Sequence, residues 1–176
     1  MIYNREQSER NAAIRVAELM AAAARTAPKT RGIDVIETLI LDGDDKDRLS
    51  TTMVELGKKM NMSFISRDGE ILRGCHNVVL VGAGVAPRGT SCAFCGISTC
   101  EQAAKDGVSC ALSVTDLGIA ICSAAAVAMD HRMDNRILYS AGKGALELGL
   151  FPKNIKICYG IGLSTTGKSV FFDRMK

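Results

Sequence analysis

The chain has 176 residues and a formal net charge of +3, with 47% hydrophobic and 23% charged residues, a composition typical of one ordinary folded domain spanning 1–176. Lys and Arg are spread along the chain without basic runs, which excludes the electrostatic footprint of a nucleic-acid-binding protein. The first residues contain no apolar signal core, and no charge-free apolar run long enough to span a membrane occurs. We therefore expect a cytoplasmic protein without a membrane partner.

Hydrophobic periodicity predicts a mixture of helices and strands. Apolar residues recur every three or four positions in the helical segments, and continuous apolar runs indicate buried strands. In chain order we predict a helix over 5–24, a strand over 34–41, a helix over 43–60, a short strand with an Asp68–Gly69 turn over 63–72, a buried strand over 77–84, a short helix capped by Ser98 and Glu101, an apolar helix over 110–129, a helix over 135–148, a strand over 154–161 and a small edge over 169–172. This order predicts an α+β domain with helices on both faces of a central mixed sheet.

The predicted helix over 110–129 is apolar on nearly every side. Such a helix must be covered all round, either at the centre of the fold or by a second copy of the chain. Ala124, Ala125 and Ala126 are small enough to let another backbone approach closely. We therefore expect a symmetric homodimer with this long apolar helix near its two-fold axis.

The seven cysteines are the strongest chemical signal in the sequence. Their odd number, without a secretion signal, argues against a disulfide framework. Cys92, Cys95, Cys100 and Cys110 form the pattern C-x2-C-x4-C-x9-C within a Cys-rich insert at about 87–110. Four thiolates can hold a 4Fe-4S cluster or a tetrahedral zinc ion. Because structural zinc sites usually contain two tight Cys pairs and only the first pair here is tight, the spacing favours the cluster and leaves zinc as the alternative.

The other cysteines lie outside this pattern. Cys122 falls in the apolar helix and Cys158 in a strand, where a thiol is most often a small buried hydrophobic group. Cys75 stands beside His76 and is either a buried thiol or a fifth ligand or redox partner. His76 and His131 are the two histidines of the chain, and both are expected to be surface or hydrogen-bonded residues and not catalytic bases.

Residues Gly162 to Ser169 spell G-x-x-x-x-G-K-S, the letters of a phosphate-binding loop. That loop needs a strand before it and a helix after it, so that backbone amides and the lysine can surround phosphates. A strand precedes the segment, but only seven residues follow Ser169. We therefore predict a turn after a buried strand, in which Lys168 has no role in nucleotide hydrolysis.

Several segments carry a resemblance to known families. The run CAFCGISTC resembles the C-x-x-C-G-x-x-x-C run of the 4Fe-4S domain of carbon monoxide dehydrogenase/acetyl-CoA synthase corrinoid subunits, with a fourth Cys further downstream. The segments VTDLGIAI, MDNRILYSAG and GIGLSTTGKSVFFDR resemble a prokaryotic family described as ferredoxin-domain-containing proteins of unknown function. The resemblance implies four metal ligands, Cys92, Cys95, Cys100 and Cys110, of which Cys110 departs most from the spacing of the corrinoid subunits.

The order of elements is also similar to the nitroreductase-like fold, whose members are usually flavin-binding homodimers with the long helix at the interface. This resemblance implies a three-layer arrangement and an FMN phosphate site, for which Arg25, Lys29 and Arg31 are the candidate residues. We thus expect a 4Fe-4S redox protein that exchanges electrons with a partner redox protein. The alternatives are a zinc-stabilised structural or partner-binding module and an FMN-dependent oxidoreductase.

Overall fold

The computed structural model describes residues 1–172. Six α-helices, a short 3-10 turn over Thr30–Gly32 and four strands follow one another in this part of the chain. Their bounds are α1 Arg5–Thr26, β1 Ile36–Asp42, α2 Gly43–Lys59, α3 Ser63–Arg73, β2 Asn77–Gly84, α4 Cys100–Lys105, α5 Ala111–Asp130, β3 Asp134–Leu138, α6 Tyr139–Glu147 and β4 Ile155–Ser164.

The strands form one sheet in the order β1-β2-β4-β3, and its two faces are covered by different helices. One buried cluster joins α1 and α5 to the sheet, and a second joins α2, α3 and α6 to the opposite face. This confirms the α+β class and the three layers. The sheet differs from the prediction in one respect, because each of its three pairings is antiparallel instead of mixed.

The segment 63–72, predicted as a strand with a turn, is the helix α3. Its buried residues recur with helical spacing, at Ile65, Asp68, Gly69 and Leu72. Gly69 does not make a hairpin turn. It lies at a close crossing of α2 and α3, where a Cβ atom would stand 2.8 Å from the carbonyl oxygen of Ser50. The Asp-Gly pair is therefore a packing feature of two helices, which a turn signal cannot distinguish from a hairpin.

Three smaller predictions were also wrong. The predicted helix over 135–148 is divided into the edge strand β3 and the helix α6, because β4 supplies hydrogen-bonding partners that the local sequence does not reveal. Thr99 caps α4 in place of Ser98, since its hydroxyl accepts a hydrogen bond from the amide of Gln102 at 3.2 Å. Residues 169–172 form a turn and not a strand.

Helix α5 is buried on one side only within the chain. Its buried residues pack against α1 and the sheet, whereas Val114, Ile119 and Met129 are exposed apolar side chains. The helix is long and apolar enough to cross a membrane by length and composition, and less than half of its most apolar 18-residue window is buried. The predicted apolar helix is confirmed, but it belongs to an outer layer of the chain and not to its centre.

Candidate functional site

The cysteine loop, residues 85–99, leaves the end of β2 and leads into α4. The start of α5 fastens the beginning of this loop, because the backbone N–H of Cys110 donates to the carbonyl of Val85 at 2.9 Å. One turn further, the hydroxyl of Ser113 donates to the carbonyl of Ala86 at 3.1 Å. These bonds place Cys110, the residue that precedes α5 as its N-cap, beside the loop that carries Cys92 and Cys95.

The four cysteines predicted as ligands line one shallow pocket, the cysteine pocket, which spans about 300 Å³ when the open solvent at its mouth is included. Cys92 is exposed, Cys95 and Cys100 are half-buried, and Cys110 is buried, so the pocket opens to solvent on the side of the loop. Within residues 1–172, no three side chains of His, Cys, Asp or Glu converge closely enough to ligate a single metal ion. The thiols thus surround a shared space without meeting at one point.

The backbone around the cysteines is bent into left-handed conformations. Ser91 and Ala93, on either side of Cys92, have φ values of 44° and 59°. A non-glycine residue in this region costs about 1–2 kcal/mol, and such strain concentrates at sites that hold a ligand. Gly96, directly after Cys95, has φ 84°, and no atom lies within 4 Å of the position that a Cβ would take there. The loop therefore keeps open space next to its second cysteine.

Backbone amides surround two of the thiols and favour their ionised form. The pKa of Cys100 is lowered, chiefly by the backbone N–H of Ser91, which lies 3.3 Å from its sulfur. Burial raises the pKa of Cys110, but hydrogen bonds from the amides of Ser113, Arg88 and Leu112 outweigh burial and leave the pKa below its ordinary value. The N-terminus of α5 adds the positive end of a helix dipole. Thiolates, the form that binds metal, are thus stabilised in the pocket.

A buried ion pair anchors the cysteine loop on α5. Arg88 Nη2 lies 3.0 Å from Asp116 Oδ2, with side chains only 3% and 4% exposed. The other carboxylate oxygen of Asp116 accepts from the amide and the hydroxyl of Thr30, at 3.0 and 2.9 Å. Arg31 donates to the carbonyl of Arg88 at 2.9 Å. The ion pair thus joins the cysteine loop, α5 and the 3-10 turn that contains Thr30.

The sequence analysis did not identify Arg88 and Asp116. A signal was present, because Asp116 is the one charged residue inside the apolar run from 111 to 129. A carboxylate on a buried helix face needs a cationic or hydrogen-bonding partner. The sequence does not show which of the Lys and Arg residues supplies that partner.

Cys75 has no place in the cysteine pocket. It lies before β2, whereas the cysteine loop follows β2, and an eight-residue strand spans about 25 Å at a rise of about 3.3 Å per residue. Burial raises the pKa of Cys75, and that of Cys158, to about 12. The alternative of a fifth ligand at Cys75 is therefore wrong, and both residues are inert buried thiols. His76 lies 2.6 Å from the hydroxyl of Thr165 and is hydrogen-bonded, as predicted.

The three residues proposed for a flavin phosphate have other partners. Lys29 is 5% exposed in its side chain, and its ammonium group binds the carbonyls of Ala24 and Arg25 at the end of α1. Arg25 pairs with Asp34 at 2.9 Å, and Arg31 binds the cysteine loop. Lys29 is thus buried against backbone carbonyls and does not fit a phosphate site, whereas Arg25 and Arg31 remain exposed.

The C-terminal glycine segment, residues 162–169, begins at the end of β4. Turns follow it through Phe172, without a helix in the part of the chain that the structure describes, and the remainder of the predicted tail, 173–176, lies outside the described residues. Lys168 is not part of any ion pair among residues 1–172. The segment therefore has the strand that precedes a phosphate-binding loop. The helix that must follow such a loop is absent from the described residues, which end at Phe172.

Two comparisons place the chain in a family. The profile of the family described as "Uncharacterized protein containing a ferredoxin domain (DUF2148)" matches residues 106–174. An uncharacterized protein from Archaeoglobus fulgidus is 36% identical over 179 residues, covering 96% of each chain. The chain belongs to this family. The matched segment contains Cys110 and the C-terminal glycine segment, whereas Cys92, Cys95 and Cys100 precede it.

Solved structures with the same fold are nitroreductases. The nitroreductase CinD from Lactococcus lactis, in complex with chloramphenicol, has a TM-score of 0.62 at 17% identity and matches 92% of this chain and 84% of its own. A nitroreductase with bound FMN from Desulfitobacterium hafniense has a TM-score of 0.57 at 12% identity, with coverages of 96% and 81%. An FMN-dependent nitroreductase from Clostridium difficile also has a TM-score of 0.57, at 14% identity and coverages of 88% and 76%. These similarities establish the nitroreductase-like fold.

Proposed function

We propose that the protein binds a 4Fe-4S cluster through Cys92, Cys95, Cys100 and Cys110 and transfers single electrons to and from a partner redox protein. The observation that carries the proposal is the position of all four thiols around one pocket. Backbone amides directed at the sulfurs of Cys100 and Cys110 support it. Membership of a family described by a ferredoxin domain supports it as well.

The arrangement favours a cluster over a single zinc ion. Zinc binds thiolate sulfur at about 2.3 Å, so four thiolates on one ion must crowd around a single point. A cluster of four irons and four sulfides is larger and needs its thiolates spread around its corners. Among the four cysteines that line the pocket, Cys92 and Cys95 form the one tight pair, whereas structural zinc sites usually contain two such pairs. Gly96 leaves room beside Cys95 for such a bulky group.

When bound, a 4Fe-4S cluster supplies one-electron redox chemistry, and the protein sets its reduction potential. The residues of this chain contribute in two ways. Amide donors to the sulfurs of Cys100 and Cys110 disperse negative charge and so raise the potential. The buried ion pair of Arg88 with Asp116 holds the backbone amide of Arg88 in position to donate to the Cys110 thiolate.

The decisive experiment is anaerobic purification followed by iron, sulfide and zinc analysis and absorption spectroscopy. We expect about four irons and four sulfides per chain, the stoichiometry of a 4Fe-4S centre. A colourless protein with one zinc and no sulfide would support the alternative, a zinc-stabilised structural or partner-binding module. Reconstitution with iron and sulfide separates a protein that cannot hold a cluster from one that lost it during purification.

A second candidate function is an FMN-dependent oxidoreductase in which the cluster relays electrons to the flavin. The fold favours it, because the chain matches a nitroreductase with bound FMN and an FMN-dependent nitroreductase over most of its length. Of the residues expected to bind the phosphate, Lys29 is buried and does not fit, whereas Arg25 is 66% exposed and accessible to a phosphate. Release of fluorescent flavin on denaturation tests this candidate, and its absence after purification in excess FMN would reject it.

We also propose that two copies of the chain associate through the exposed side of α5. Gly118, Cys122 and Ala126 are exposed and small, and their spacing of four residues forms a single stripe along the helix. The apolar residues Val114, Ile119 and Met129 flank the stripe. Small residues let two helices approach closely. A continuous exposed apolar face is typical of an interaction surface.

The dimer can be tested with one charged substitution. Ala125 packs against the core of its own chain, so Ala126→Glu is the cleaner probe of an interface. We expect a dimer by light scattering for the parent and a monomer for Ala126→Glu, because an unpaired carboxylate is costly in a desolvated seam. Ala12→Glu on the exposed side of α1 is the matched control. A monomeric parent at micromolar concentration refutes the dimer.

We further propose that the protein is cytoplasmic and has neither a membrane nor a nucleic-acid partner. The low net charge of +3 supports the absence of a nucleic-acid partner, since polyanion binding needs a basic patch. The packing of α5 against α1 and the sheet supports the absence of a membrane partner, because it gives the apolar helix a place in the fold. Fractionation of cells into membrane and cytosol, followed by immunodetection, tests the location.

A further inference from the structure

A second cleft lies at the opposite end of the sheet from the cysteine pocket. It encloses about 900 Å³, including solvent at its mouth, and is bounded by the first turns of α1, the start of α2 and the start of β2. The cysteine loop follows the other end of β2, so the two sites are separated by the length of that strand. The proposed redox function does not use this cleft.

The cleft is lined by Asn77, which is 0% exposed. Neither Oδ1 nor Nδ2 of its side chain has a hydrogen-bonding partner within the described residues. A buried polar group left unsatisfied costs about 1–3 kcal/mol, so such groups in native proteins have a partner in the working state. A carboxamide presents two donor hydrogens and one acceptor oxygen. Its partner must therefore offer both an acceptor and a donor.

Asp42 stands next to Asn77, as its cross-strand partner in the antiparallel pairing of β1 with β2. The side chains of such partners lie on the same face of the sheet. Asp42 also lines the cleft, and it forms no ion pair within the part of the chain that the structure describes. The Asp42 carboxylate and Asn77 Oδ1 together provide acceptors for an ammonium group.

Donors for an anionic group are also present. Asp42 is the N-cap of α2 but makes no side-chain capping bond, so the first amides of this 17-residue helix keep their hydrogen-bonding capacity. A helix N-terminus favours a carboxylate through those amides and its dipole. Asn77 Nδ2 and the guanidinium groups of Arg10 and Arg73 line the same cleft. A carboxylate thus finds donors within the space that holds the ammonium acceptors.

The charges around the cleft are balanced, which argues against a ligand of one sign. The lining contains three basic residues and three acidic ones, namely Arg10, Lys46, Arg73, Glu6, Asp42 and Asp47, together with His76. Arg10 pairs with Glu6 at 3.0 Å, Lys46 with Asp47 at 2.7 Å and Arg73 with Glu70 at 3.9 Å, so among the described residues Asp42 is the lining carboxylate without an ion pair. An anion alone would leave the Asp42 carboxylate without a partner, and a cation alone would leave the first amides of α2 and Asn77 Nδ2 without an acceptor. A zwitterion satisfies both sets.

We infer that this cleft binds a small zwitterion of the α-amino-acid class, with its ammonium group toward Asp42 and Asn77 Oδ1 and its carboxylate toward the start of α2. A cleft of this size accommodates such a molecule with space for a side chain. The orphaned amide of Asn77 is then satisfied by the ligand. The site is independent of the cysteine pocket and does not require a bound cluster.

The test is a titration of the purified protein with each of the common L-α-amino acids, followed by thermal unfolding and isothermal titration calorimetry. We expect at least one to raise Tm in a saturable manner, because a ligand that binds only the folded state stabilises it. Acetate, methylammonium and inorganic phosphate are the single-charge probes, and they should give no comparable shift. An equal shift with acetate or phosphate overturns the zwitterion, as does the absence of any shift at millimolar amino acid.

Two variants locate the binding. Asn77→Leu removes the orphaned amide while keeping the volume, and Asp42→Asn removes a surface charge without disturbing the core. Each should weaken the affinity at least tenfold, whereas Asp44→Asn, also in the first turn of α2 but outside the cleft lining, should leave it unchanged. Unaltered affinity in both Asn77→Leu and Asp42→Asn overturns the assignment of the site.

Discussion

The cysteine loop and the C-terminal glycine segment each contain the letters of a familiar motif, but the elements that follow them in the structure differ. The cysteine loop leads through the short helix α4 to the long helix α5, whose N-cap is Cys110, the fourth cysteine of the pattern. The glycine segment is followed only by turns through Phe172. One motif thus has the surrounding structure that its chemistry needs, and the other has only the preceding strand.

The difference shows that spacing alone does not make a site. Thiolates need donors that stabilise their charge, which the amides of Ser91, Ser113 and Arg88 supply. Phosphates need the free amides of a helix N-terminus, which does not follow Ser169 within the described residues. Hydrogen-bonding groups around the motif therefore distinguish the proposed cluster site from the glycine segment.

The largest effect is expected from Cys110→Ser, which alters the proposed cluster site. This change removes one of the four proposed thiolate ligands and leaves three. We expect iron and sulfide in the anaerobically purified protein to fall to a small fraction of the parent values. Cys122→Ser is the matched control, because Cys122 is an exposed cysteine on the same helix. Full iron and sulfide content in Cys110→Ser would show that Cys110 is not a ligand.

Asp116→Ala should be the next most severe change. It leaves the buried guanidinium of Arg88 without its partner, and breaking one side of a buried ion pair costs about 3–5 kcal/mol. Urea unfolding of the cluster-free protein measures the loss. Asp130→Ala, at the exposed end of the same helix, should change the free energy of unfolding by less than about 0.5 kcal/mol. Equal effects for the two variants would contradict the anchoring role.

The rate of thiol alkylation should differ between the cysteine pocket and the buried core. In cluster-free protein, the lowered pKa of Cys100 and Cys110 provides more thiolate at neutral pH, and the thiolate is the nucleophile. The pKa of Cys75 and Cys158 is raised to about 12, so almost none of either is ionised there. Iodoacetamide labelling followed by peptide mass spectrometry should modify Cys100 before Cys75 and Cys158. Labelling in the reverse order would contradict the electrostatics of the pocket.

Raising the pH should reduce the difference in labelling rate between Cys100 and the buried thiols Cys75 and Cys158. Cys100 and Cys110, whose pKa is lowered, ionise at a lower pH than an ordinary thiol, whereas Cys75 and Cys158 ionise only as the pH approaches about 12. Because their pKa is higher in the folded than in the unfolded protein, their contribution to stability is complete below the unfolded pKa and is lost toward about 12. Labelling at the highest pH must therefore be accompanied by circular dichroism to check that the protein remains folded.

Lys168→Ala is expected to have the smallest effect. Lys168 lies in the glycine segment, where no helix follows within residues 1–172, and it makes no ion pair in that part of the chain. Substitution should leave Tm and cluster content unchanged and ATP affinity negligible. Calorimetry with Mg-ATP on both proteins is the measurement. Tight binding by the parent that disappears in the variant would restore the phosphate-binding interpretation.

The sequence was sufficient for the elements whose signal is local. The periodic apolar residues of α1 and α2 and the continuous run of β2 predicted those elements within a few residues. The segment 63–72 was misread because Asp68–Gly69 resembles a turn, whereas Gly69 serves a close helix crossing. The strand β3 could not be predicted from its own residues, because its hydrogen bonds come from β4.

The candidate site shows the same division between local and distant information. Spacing alone selected the four cysteines that line the pocket. The ion pair of Arg88 with Asp116 could not be predicted, since only folding brings these two residues together. The buried position of Asn77 could not be predicted either, because it is the first residue of an otherwise apolar strand and polar residues are common at strand ends.

The pairing of β2 with β4 also affects how the protein is made. Asn77 pairs with Leu163, so the central strand meets this neighbour only after β4, Ile155–Ser164, has been synthesised. Contacts between such distant residues form slowly, because a long loop must close first. All four pocket cysteines precede β4 in the chain, so they leave the ribosome earlier. The thiols therefore pass through a period of synthesis in which the strand beneath them lacks its C-terminal neighbour.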